Sequence, residues 1–319
     1  MKIVALAGGV GGAKLAEGLA QVLPPDSLTI IVNTGDDFEH LGLQICPDLD
    51  TVCYSLAGLA NPVTGWGRSG ETWSALESLA ELGGPTWFRL GDRDLGTHLE
   101  RTRLLRLGFR LSEITQRFCQ AWGIHVRVIP MSDSPIPTWV DTDEGEISFQ
   151  EYFVRRQCRP RVKGFRFVDV EYAEPAPGIM DAIHEADGVI ICPSNPWVSI
   201  DPILAVPGIK SLLRPAPGNS RPVIAVSPLV GGEAIKGPAA KMYLELGFQP
   251  SALAVARHYG AQSQEGLLSG FVIDQLDQDL ADSITALGIR PRVTDTVMRT
   301  STDRHRLAEL VIEFNKSLA

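Results

Sequence analysis

The 319-residue sequence has little cysteine, and long apolar runs are missing from it. Its five cysteines are scattered and form no Cys-x-x-Cys pair, so we expect neither a zinc knuckle nor a disulfide framework. No run reaches the roughly 18 apolar residues that a membrane-spanning helix needs. A secretory signal is a weaker alternative for the first residues, because Lys14 and Glu17 interrupt the apolar stretch and a small-residue cleavage pattern is missing. These absences together predict a cytoplasmic protein that does not enter a membrane.

A surplus of basic side chains is missing as well. The chain has 29 Lys and Arg against 38 Asp and Glu, which gives a formal net charge of -9. An acidic chain is a poor match to the backbone of nucleic acids, so nucleic acid is not the expected partner. With 44% hydrophobic and 21% charged residues the composition is globular, and the length suits one large α/β domain or two ordinary ones.

Glycine, in contrast, is concentrated where the chain leaves its first apolar run. Residues 2–7 (KIVALA) are followed by Gly8–Lys14 (GGVGGAK), and residues 15–19 have helical character. A strand that feeds a glycine-rich turn at a helix N-terminus presents backbone N–H groups to anions, most often phosphate. We expect the following residues to bind a phosphate group: Gly9, Val10, Gly11, Gly12 and Lys14.

This loop matches neither of two common phosphate-binding signatures. Lys14 is not followed by the Ser or Thr of a Walker A loop, and it replaces the third glycine of the dinucleotide fingerprint. A nicotinamide-dependent dehydrogenase is therefore a weak alternative. A tight turn without a ligand is the structural alternative.

Apolar segments alternate with helical patterns at both ends of the chain. They predict strands over residues 28–32, 188–192, 222–226, 253–256, 270–273 and 292–293. Near-continuous apolar strands between helices predict a Rossmann-like, three-layer α/β fold with a parallel sheet. A final helix is expected from about Ser301, and Pro215–Asn219 reads as a surface loop. In such folds ligands bind beyond the carboxyl ends of the strands.

The middle of the chain, about residues 61–163, differs in being rich in Trp, Arg and Gly. It contains a predicted strand at 126–130 and a predicted hairpin over 138–149. We therefore expect a single domain with a core of about residues 1–60 and 164–319. The middle segment is then an inserted mixed α/β subdomain that roofs the ligand cleft.

Residues 47–52 (PDLDTV) place two carboxylates two positions apart at the start of a helical stretch. Asp50 could simply cap that helix. The functional alternative is that Asp48 and Asp50 bind magnesium, which prefers carboxylates and shares its coordination with substrate phosphates. Asp50 could also act as a general base toward a hydroxyl group.

Other polar candidates follow predicted strands or lie in short charged motifs. Arg93, within residues 90–94 (LGDRD), is suited to a bidentate phosphate contact, whereas His98 alone does not identify a base. Either Lys236 or Lys241 could face a phosphate group. The remaining candidates, which can also serve as turn residues, are Asn33, Ser132, Ser194 and Asn195.

Taken in order, these motifs resemble those of the 2-phospho-L-lactate transferases of coenzyme F-420 biosynthesis. The resemblance spans nearly the whole chain and is carried by Gly8–Lys14, Asn33–Asp37, Pro47–Val52, Leu90–Asp94, Pro130–Asp133, Pro193–Pro196, Gly237–Ala239 and Asp295–Met298. The glycine loop alone would also fit the related gluconeogenesis factors. These are non-catalytic regulatory proteins that bind nucleotide sugars, and they are the alternative to an enzyme.

The resemblance implies a phospho-acid transfer. A donor linked to guanosine diphosphate gives its phospho-acid to the terminal ribityl hydroxyl of the deazaflavin Fo, and GMP leaves. It also implies that Mg²⁺ helps to hold the diphosphate and that Asp48 and Asp50 lie at the metal and the Fo hydroxyl. Arg93 would then contact the phosphoryl oxygens or Fo, and Ser194 and Asn195 would contact the guanosine.

The resemblance leaves the acid of the donor open among phospholactate, a phosphoenolpyruvate-derived group and phosphoglycerate. A homodimer is usual in the family. Trp66, Trp73 and Trp87 could stack on the flat deazaflavin ring, or they could form the core of the inserted segment.

Overall fold

The computed structural model describes residues 1–214 and 221–318. Its strands are β1 Ile3–Ala7, β2 Leu28–Val32, β3 Phe38–His40, β4 Leu43–Ile45, β5 Arg127–Pro130, β6 Thr138–Thr142, β7 Gly145–Ser148, β8 Val162–Phe167, β9 Gly188–Ile191, β10 Val223–Val226, β11 Leu229–Val230, β12 Glu233–Ala234, β13 Gly270–Asp274 and β14 Arg290–Thr294. The loop predicted at Pro215–Asn219 lies outside the described residues.

The α-helices of the described chain are α1 Gly9–Val22, α2 Pro47–Leu56, α3 Ser74–Glu81, α4 Asp92–Arg106, α5 Leu111–Ala121, α6 Ile179–Glu185, α7 Asp201–Ala205, α8 Ile209–Leu213, α9 Ala239–Glu245, α10 Ala252–Tyr259, α11 Ala281–Ala286 and α12 Ser301–Leu318. Two π-helical turns occur in the described chain, at Glu151–Arg155 and Pro196–Ile200. Within the same ranges, no helix is both long and apolar enough to cross a membrane.

The main sheet has, within the described ranges, seven parallel strands in the order β14-β13-β10-β9-β1-β2-β5. Alternate side chains of β1 enter two different buried clusters, with Val4 and Leu6 in one and Ile3, Ala5 and Ala7 in the other. Helices α6, α7, α8, α10 and α11 complete the first cluster, and α1, α2, α5 and α12 complete the second. This layering confirms the predicted Rossmann-like, three-layer α/β fold.

The direction in which the chain builds the main sheet reverses between β1 and β9. From β1 the chain moves outward through β2 to β5, and from β9 it moves the other way through β10, β13 and β14. The pairing of Leu6 with Ile191 brings the ends of β1 and β9 side by side. A crevice at this switch point is where such sheets bind ligands.

The strand predicted at residues 253–256 is wrong, because these residues lie within α10. Ser251 caps the start of that helix by accepting a hydrogen bond of 3.1 Å from the backbone N of Ala254. Gly260, with a φ of +70°, follows the end of the helix. A short apolar run does not by itself distinguish a buried strand from a turn of buried helix.

Strand β5 also differs from expectation, because it falls in the segment that the sequence assigns to the insertion. It pairs with β2, with Ile129 opposite Ile31, and forms one edge of the main sheet. The hairpin β6–β7 joins β8 in a separate antiparallel sheet, as a mixed subdomain would. For the rest of the middle segment, the division into core and insertion stays a prediction.

Candidate active site

A cavity of about 730 Å³ opens at the carboxyl ends of β1 and β9. Its walls come from the glycine loop, from α2 and α4, and from loops of the middle and C-terminal parts of the chain. The predicted residues that line it are Gly9, Val10, Gly11, Lys14, Asp48, Asp50, Ser194 and Asn195. Their substrate contacts stay predictions, but the fold does bring them to one place.

The turn after β1 is held by hydrogen bonds from the neighbouring strand end. Ser194 Oγ accepts from the backbone N of Gly8 at 3.1 Å and donates to the carbonyl of the same residue at 2.8 Å. Gly9 then begins α1 with a φ of +62°, in the left-handed region that favours glycine. Ser194 therefore shapes the loop in addition to lining the cavity.

Glycine is needed at two further positions of this turn for lack of space. A side chain at Gly11 would collide with the carbonyl of Pro193, and one at Gly12 would collide with Ser194 Oγ. Gly12 does not line the cavity, because it packs beneath the loop against Ser194 and Ala7. Gly12 thus has a packing role in the turn, and its predicted phosphate contact stays a prediction.

The Gly11→Ala substitution tests this close approach. We expect it to destabilise the protein by about 1–3 kcal/mol, because the backbone of Pro193 must move to admit the methyl group. Urea unfolding of the two proteins measures the difference. Gly96→Ala in α4 is the matched control, since it has open space and alanine favours a helix. An equal loss in both variants would contradict the packing described here.

Two lysines bring positive charge to the glycine loop. Lys14 Nζ donates to the carbonyl of Met298 at 2.7 Å, and Lys236 Nζ donates to the carbonyl of Thr64 at 2.6 Å. Burial, followed by the charges of Arg304 and Lys236, lowers the pKa of Lys14. An anion bound between the two ammonium groups would relieve their repulsion, and it would also meet the positive end of α1.

A pair of buried carboxylates lies beside the loop. Asn33 Nδ2 donates to Asp36 Oδ1 at 3.1 Å and to Asp48 Oδ2 at 2.9 Å, so one amide group joins the two. Burial raises the pKa of Asp48 to about 6, and burial followed by repulsion from Asp48 raises the pKa of Asp36 well above its usual value. Both carboxylates line the cavity, whereas Asn33 does not.

Asn33 is thus a support for the carboxylates and is not placed for the substrate contact expected of it. Its carbonyl oxygen accepts from the backbone N of Gly35, and its amide group also donates to the carbonyl of Val198. Asp36 is a site residue that the sequence analysis did not single out. Its position at the end of β2 was the available signal, because strand ends of a parallel sheet converge at one edge.

Asp50 has a different environment from Asp48. Helix α2 begins at Pro47 after Cys46, so Asp50 stands within the first turn and does not cap the helix. Arg101, on α4, donates to both oxygens of the Asp50 carboxylate, with 3.1 Å between Nη1 and Oδ2. The guanidinium occupies one side of both carboxylate oxygens, and the metal contact predicted for Asp50 stays a prediction.

Arg93 and Ser132 do not line the cavity, contrary to expectation. Helix α4 begins at Asp92, which leaves the Arg93 side chain exposed and donating to the carbonyl of Ser69 at 3.2 Å. Asp94 and His98, on another face of the helix, line the cavity instead. Ser132 is buried in the turn after β5, where its hydroxyl donates to the carbonyl of Glu174.

Asn195 is partly committed to its own turn. Its side-chain oxygen accepts from the backbone N of Trp197 at 3.0 Å and so caps the π-helical turn that follows. Among the residues that the structure describes, the partner of its amide nitrogen is the sulfur of Met242, a weak acceptor at 3.3 Å. This amide group is therefore the part of Asn195 that a bound ligand can recruit.

Aromatic side chains form another part of the cavity wall. Trp66 and Trp87 line the cavity, whereas Trp73 does not. Trp73 packs under the guanidinium of Arg89, with 4.4 Å between Arg89 Cζ and the centre of the Trp73 ring. Phe153 also lines the cavity, and its ring is parallel to that of Phe149, with 5.4 Å between the ring centres. Flat apolar surfaces of this kind suit a planar ring system.

Comparison with known proteins identifies the chain. Residues 3–307 match the family model described as "2-phospho-L-lactate transferase CofD". A phosphoenolpyruvate transferase of Streptomyces griseus is 45% identical over 303 residues, with 93% of each chain covered. Another, from Streptomyces coelicolor, is 43% identical over 318 residues, which is 98% of this chain and 97% of that protein.

A solved structure shows the same fold at low sequence identity. A protein of the UPF0052 family from Bacillus halodurans superposes with a TM-score of 0.63 at 15% identity, covering 98% of both chains. The family match and the close relatives decide between the enzyme and the regulatory factor in favour of an enzyme. The chain therefore belongs to the 2-phospho-L-lactate transferase CofD family, the transferase family of coenzyme F-420 biosynthesis that its motifs resemble.

Proposed function

We propose that this enzyme transfers a phospho-acid group from a guanosine diphosphate-linked donor to the terminal ribityl hydroxyl of the deazaflavin Fo, with release of GMP. The observation that supports this most is the arrangement at the β1–β9 switch point. There the N-terminus of α1, Lys14 and Lys236 line one cavity together with the buried carboxylates of Asp36, Asp48 and Asp50, and Asp48 lies directly beside the start of the helix. A diphosphate and a hydroxyl group can be held side by side in such a site.

The reaction forms one bond and breaks one bond at a single phosphorus atom. The hydroxyl oxygen of Fo attacks the phosphorus that carries the acid, its proton passes to a base, and the bridging oxygen leaves with GMP. Negative charge grows on the phosphoryl oxygens and on the leaving phosphate, so catalysis depends on positioning and on fixed positive charge. The loop amides with Lys14 and Lys236 supply that charge, and Asp50 orients the hydroxyl.

The residues present fit the Mg²⁺ ion that the resemblance implies. Asp36 and Asp48 are buried, adjacent through Asn33, and have raised pKa values, so a divalent cation would stabilise both in the ionised form. No cluster of three or more metal-ligating side chains occurs within residues 1–214 and 221–318. Two carboxylates are enough, because Mg²⁺ completes its shell with water and substrate phosphates. When bound, the ion would neutralise charge on the diphosphate.

For the acid of the donor, we propose an enolpyruvyl group. The support is the name phosphoenolpyruvate transferase, which relatives 40–45% identical to this chain carry. For the acceptor, the wall with Trp66, Trp87 and Phe153 offers a stacking surface for the deazaflavin ring. Ser194 and Asn195 stay the predicted contacts of the guanosine. A homodimer and a cytoplasmic location also stay predictions.

An assay with three guanylated donors tests this proposal. The purified enzyme is incubated with Fo, Mg²⁺ and the enolpyruvyl, lactyl or glyceryl donor, and the products are identified by mass spectrometry. We expect GMP and the Fo conjugate to appear in equal amounts, fastest with the enolpyruvyl donor. Turnover of the lactyl or glyceryl donor alone would contradict the proposed acid. Failure with all three donors would contradict the proposed reaction.

A further inference from the structure

Behind Asp50, a row of polar side chains joins α2 to α4. Asp50 and Tyr54 lie one turn apart on α2, and Asp94, His98 and Arg101 share one face of α4 at helical spacing. All of them except Arg101 line the cavity. We call these five residues the α2–α4 polar row. The proposed reaction uses only Asp50 among them.

Arg101 forms the deepest part of the row. It is 1% exposed, and its guanidinium donates to both oxygens of Asp50 and to the carbonyl of Gln44 at 3.3 Å. Its Nε has no acceptor in the part of the chain that the structure describes. Burying an arginine costs free energy unless a close partner compensates its charge. Asp50 is that partner, so the buried position of Arg101 is explained by its ion pair with the Asp50 carboxylate.

His98 connects the ion pair to the other end of the row. Its Nδ1 lies 3.1 Å from Arg101 Nη1, and a guanidinium can only donate, so Nδ1 is the acceptor. The proton of the ring is then on Nε2, which lies 3.4 Å from Asp94 Oδ1. The same oxygen of Asp94 accepts from the Tyr54 hydroxyl at 2.7 Å. Hydrogen bonds thus join Arg101 to His98 and Asp50 at one end of the row and Tyr54 to Asp94 at the other. His98 Nε2 approaches Asp94 without a hydrogen bond between them.

We propose that Arg101 is a positioning residue for the transfer reaction. Its planar fork fixes the plane of the Asp50 carboxylate, so that the lone pairs it does not use point into the cavity, toward an incoming hydroxyl. Asp94, His98 and Tyr54 hold the opposite end of the row and keep α4 from rotating against α2. This inference rests on the proposed function, because it assigns Asp50 to the acceptor hydroxyl.

The Arg101→Lys variant separates positioning from simple charge compensation. Lysine keeps the positive charge but cannot hold both oxygens of Asp50 in a fixed plane. We expect kcat to fall about 100-fold, the effect of a small misplacement of a reacting group, while the dissociation constant for GMP is unchanged. Arg103→Lys is the matched control on the same helix, since Arg103 is exposed and pairs with Glu100. Unchanged turnover in Arg101→Lys would overturn the proposal.

Two further results keep the proposal falsifiable. If Arg101→Lys unfolds, or weakens GMP binding and turnover in parallel, its effect is structural. A second variant, Tyr54→Phe, then decides. If Tyr54→Phe leaves kcat unchanged, the proposal is wrong. That second variant keeps its buried ring and loses only the hydroxyl, so we expect a drop of about tenfold, equivalent to one hydrogen bond. Absence of wild-type turnover would instead overturn the proposed function itself, and with it the role of Arg101.

Discussion

An Asp48→Asn variant is expected to fold normally and to lose at least about 10³-fold in turnover. The amide group has the volume of the carboxylate and can still accept from Asn33, but it lacks the charge that the Mg²⁺ site requires. Stability should be retained or increased near neutral pH. Burial raises the pKa of Asp48 to about 6, so this group loses its proton less readily in the folded protein than in the unfolded chain. The free energy of unfolding therefore falls as the pH rises to about 6, and the Asn variant does not suffer this loss. Steady-state kinetics and urea unfolding measure the two effects.

Asp279→Asn is the control for Asp48→Asn. Asp279 is exposed, lies in the segment after β13 and does not line the cavity. A second check is the response to chelation. The wild-type enzyme should lose turnover in EDTA and regain it with added Mg²⁺, whereas Asp48→Asn should respond to neither. Wild-type turnover in Asp48→Asn would show that this carboxylate is not part of the reaction.

An Asp50→Asn variant is expected to lose both turnover and stability. Removing the charge of Asp50 leaves the guanidinium of Arg101 buried without an anionic partner, which costs about 3–5 kcal/mol in comparable pairs. The sequence alone does not predict the loss of stability, because the ion pair behind Asp50 is formed with a residue of another helix. Urea unfolding, followed by circular dichroism, measures the expected loss.

The control for Asp50→Asn is Glu100→Gln, which removes the carboxylate of another carboxylate–arginine pair. Glu100 pairs with Arg103 on the exposed face of α4, where solvent screens the charges, and we expect little change in stability. Equal stabilities of wild type and Asp50→Asn would show that the buried ion pair does not hold α2 against α4. A stable but inactive Asp50→Asn would still fit a role for Asp50 at the acceptor hydroxyl.

The parts of the site that could be predicted from the sequence are those formed by neighbouring residues. The glycine loop needs only a strand, a turn and a helix in succession, and its lining of the cavity follows from the position of β1 in the sheet. The same holds for Asp48 and Asp50, which stand on the first turn of one helix. The spacing of neighbouring residues in the sequence was therefore enough to predict that the glycine loop and the two aspartates lie at the site.

The parts that could not be predicted depend on contacts between distant segments. Asp36 joins Asp48 through Asn33, and Arg101, which is 51 residues later in the sequence than Asp50, reaches it from another helix. Arg93 was assigned to phosphate by its residue type, but the helical phase of α4 turns it to solvent. The spacing of Asp94, His98 and Arg101 was the available signal, since i, i+4 and i+7 share a helix face.

Strand β5 illustrates the same limit at the level of the fold. Its composition is that of a strand, and the sequence predicts it as such, but only the pairing with β2 shows that it belongs to the main sheet. Residues 253–256 show the reverse case. Their composition suits a strand, and the cap at Ser251 makes them helical.

The most direct test of the account is a crystal structure of the enzyme with GDP and Mg²⁺. We expect the diphosphate to lie on the backbone amides at the start of α1, within hydrogen-bond distance of Lys14 and beside Asp48. A nucleotide bound elsewhere, with the glycine loop empty and Asp48 remote from any phosphate, would contradict the account.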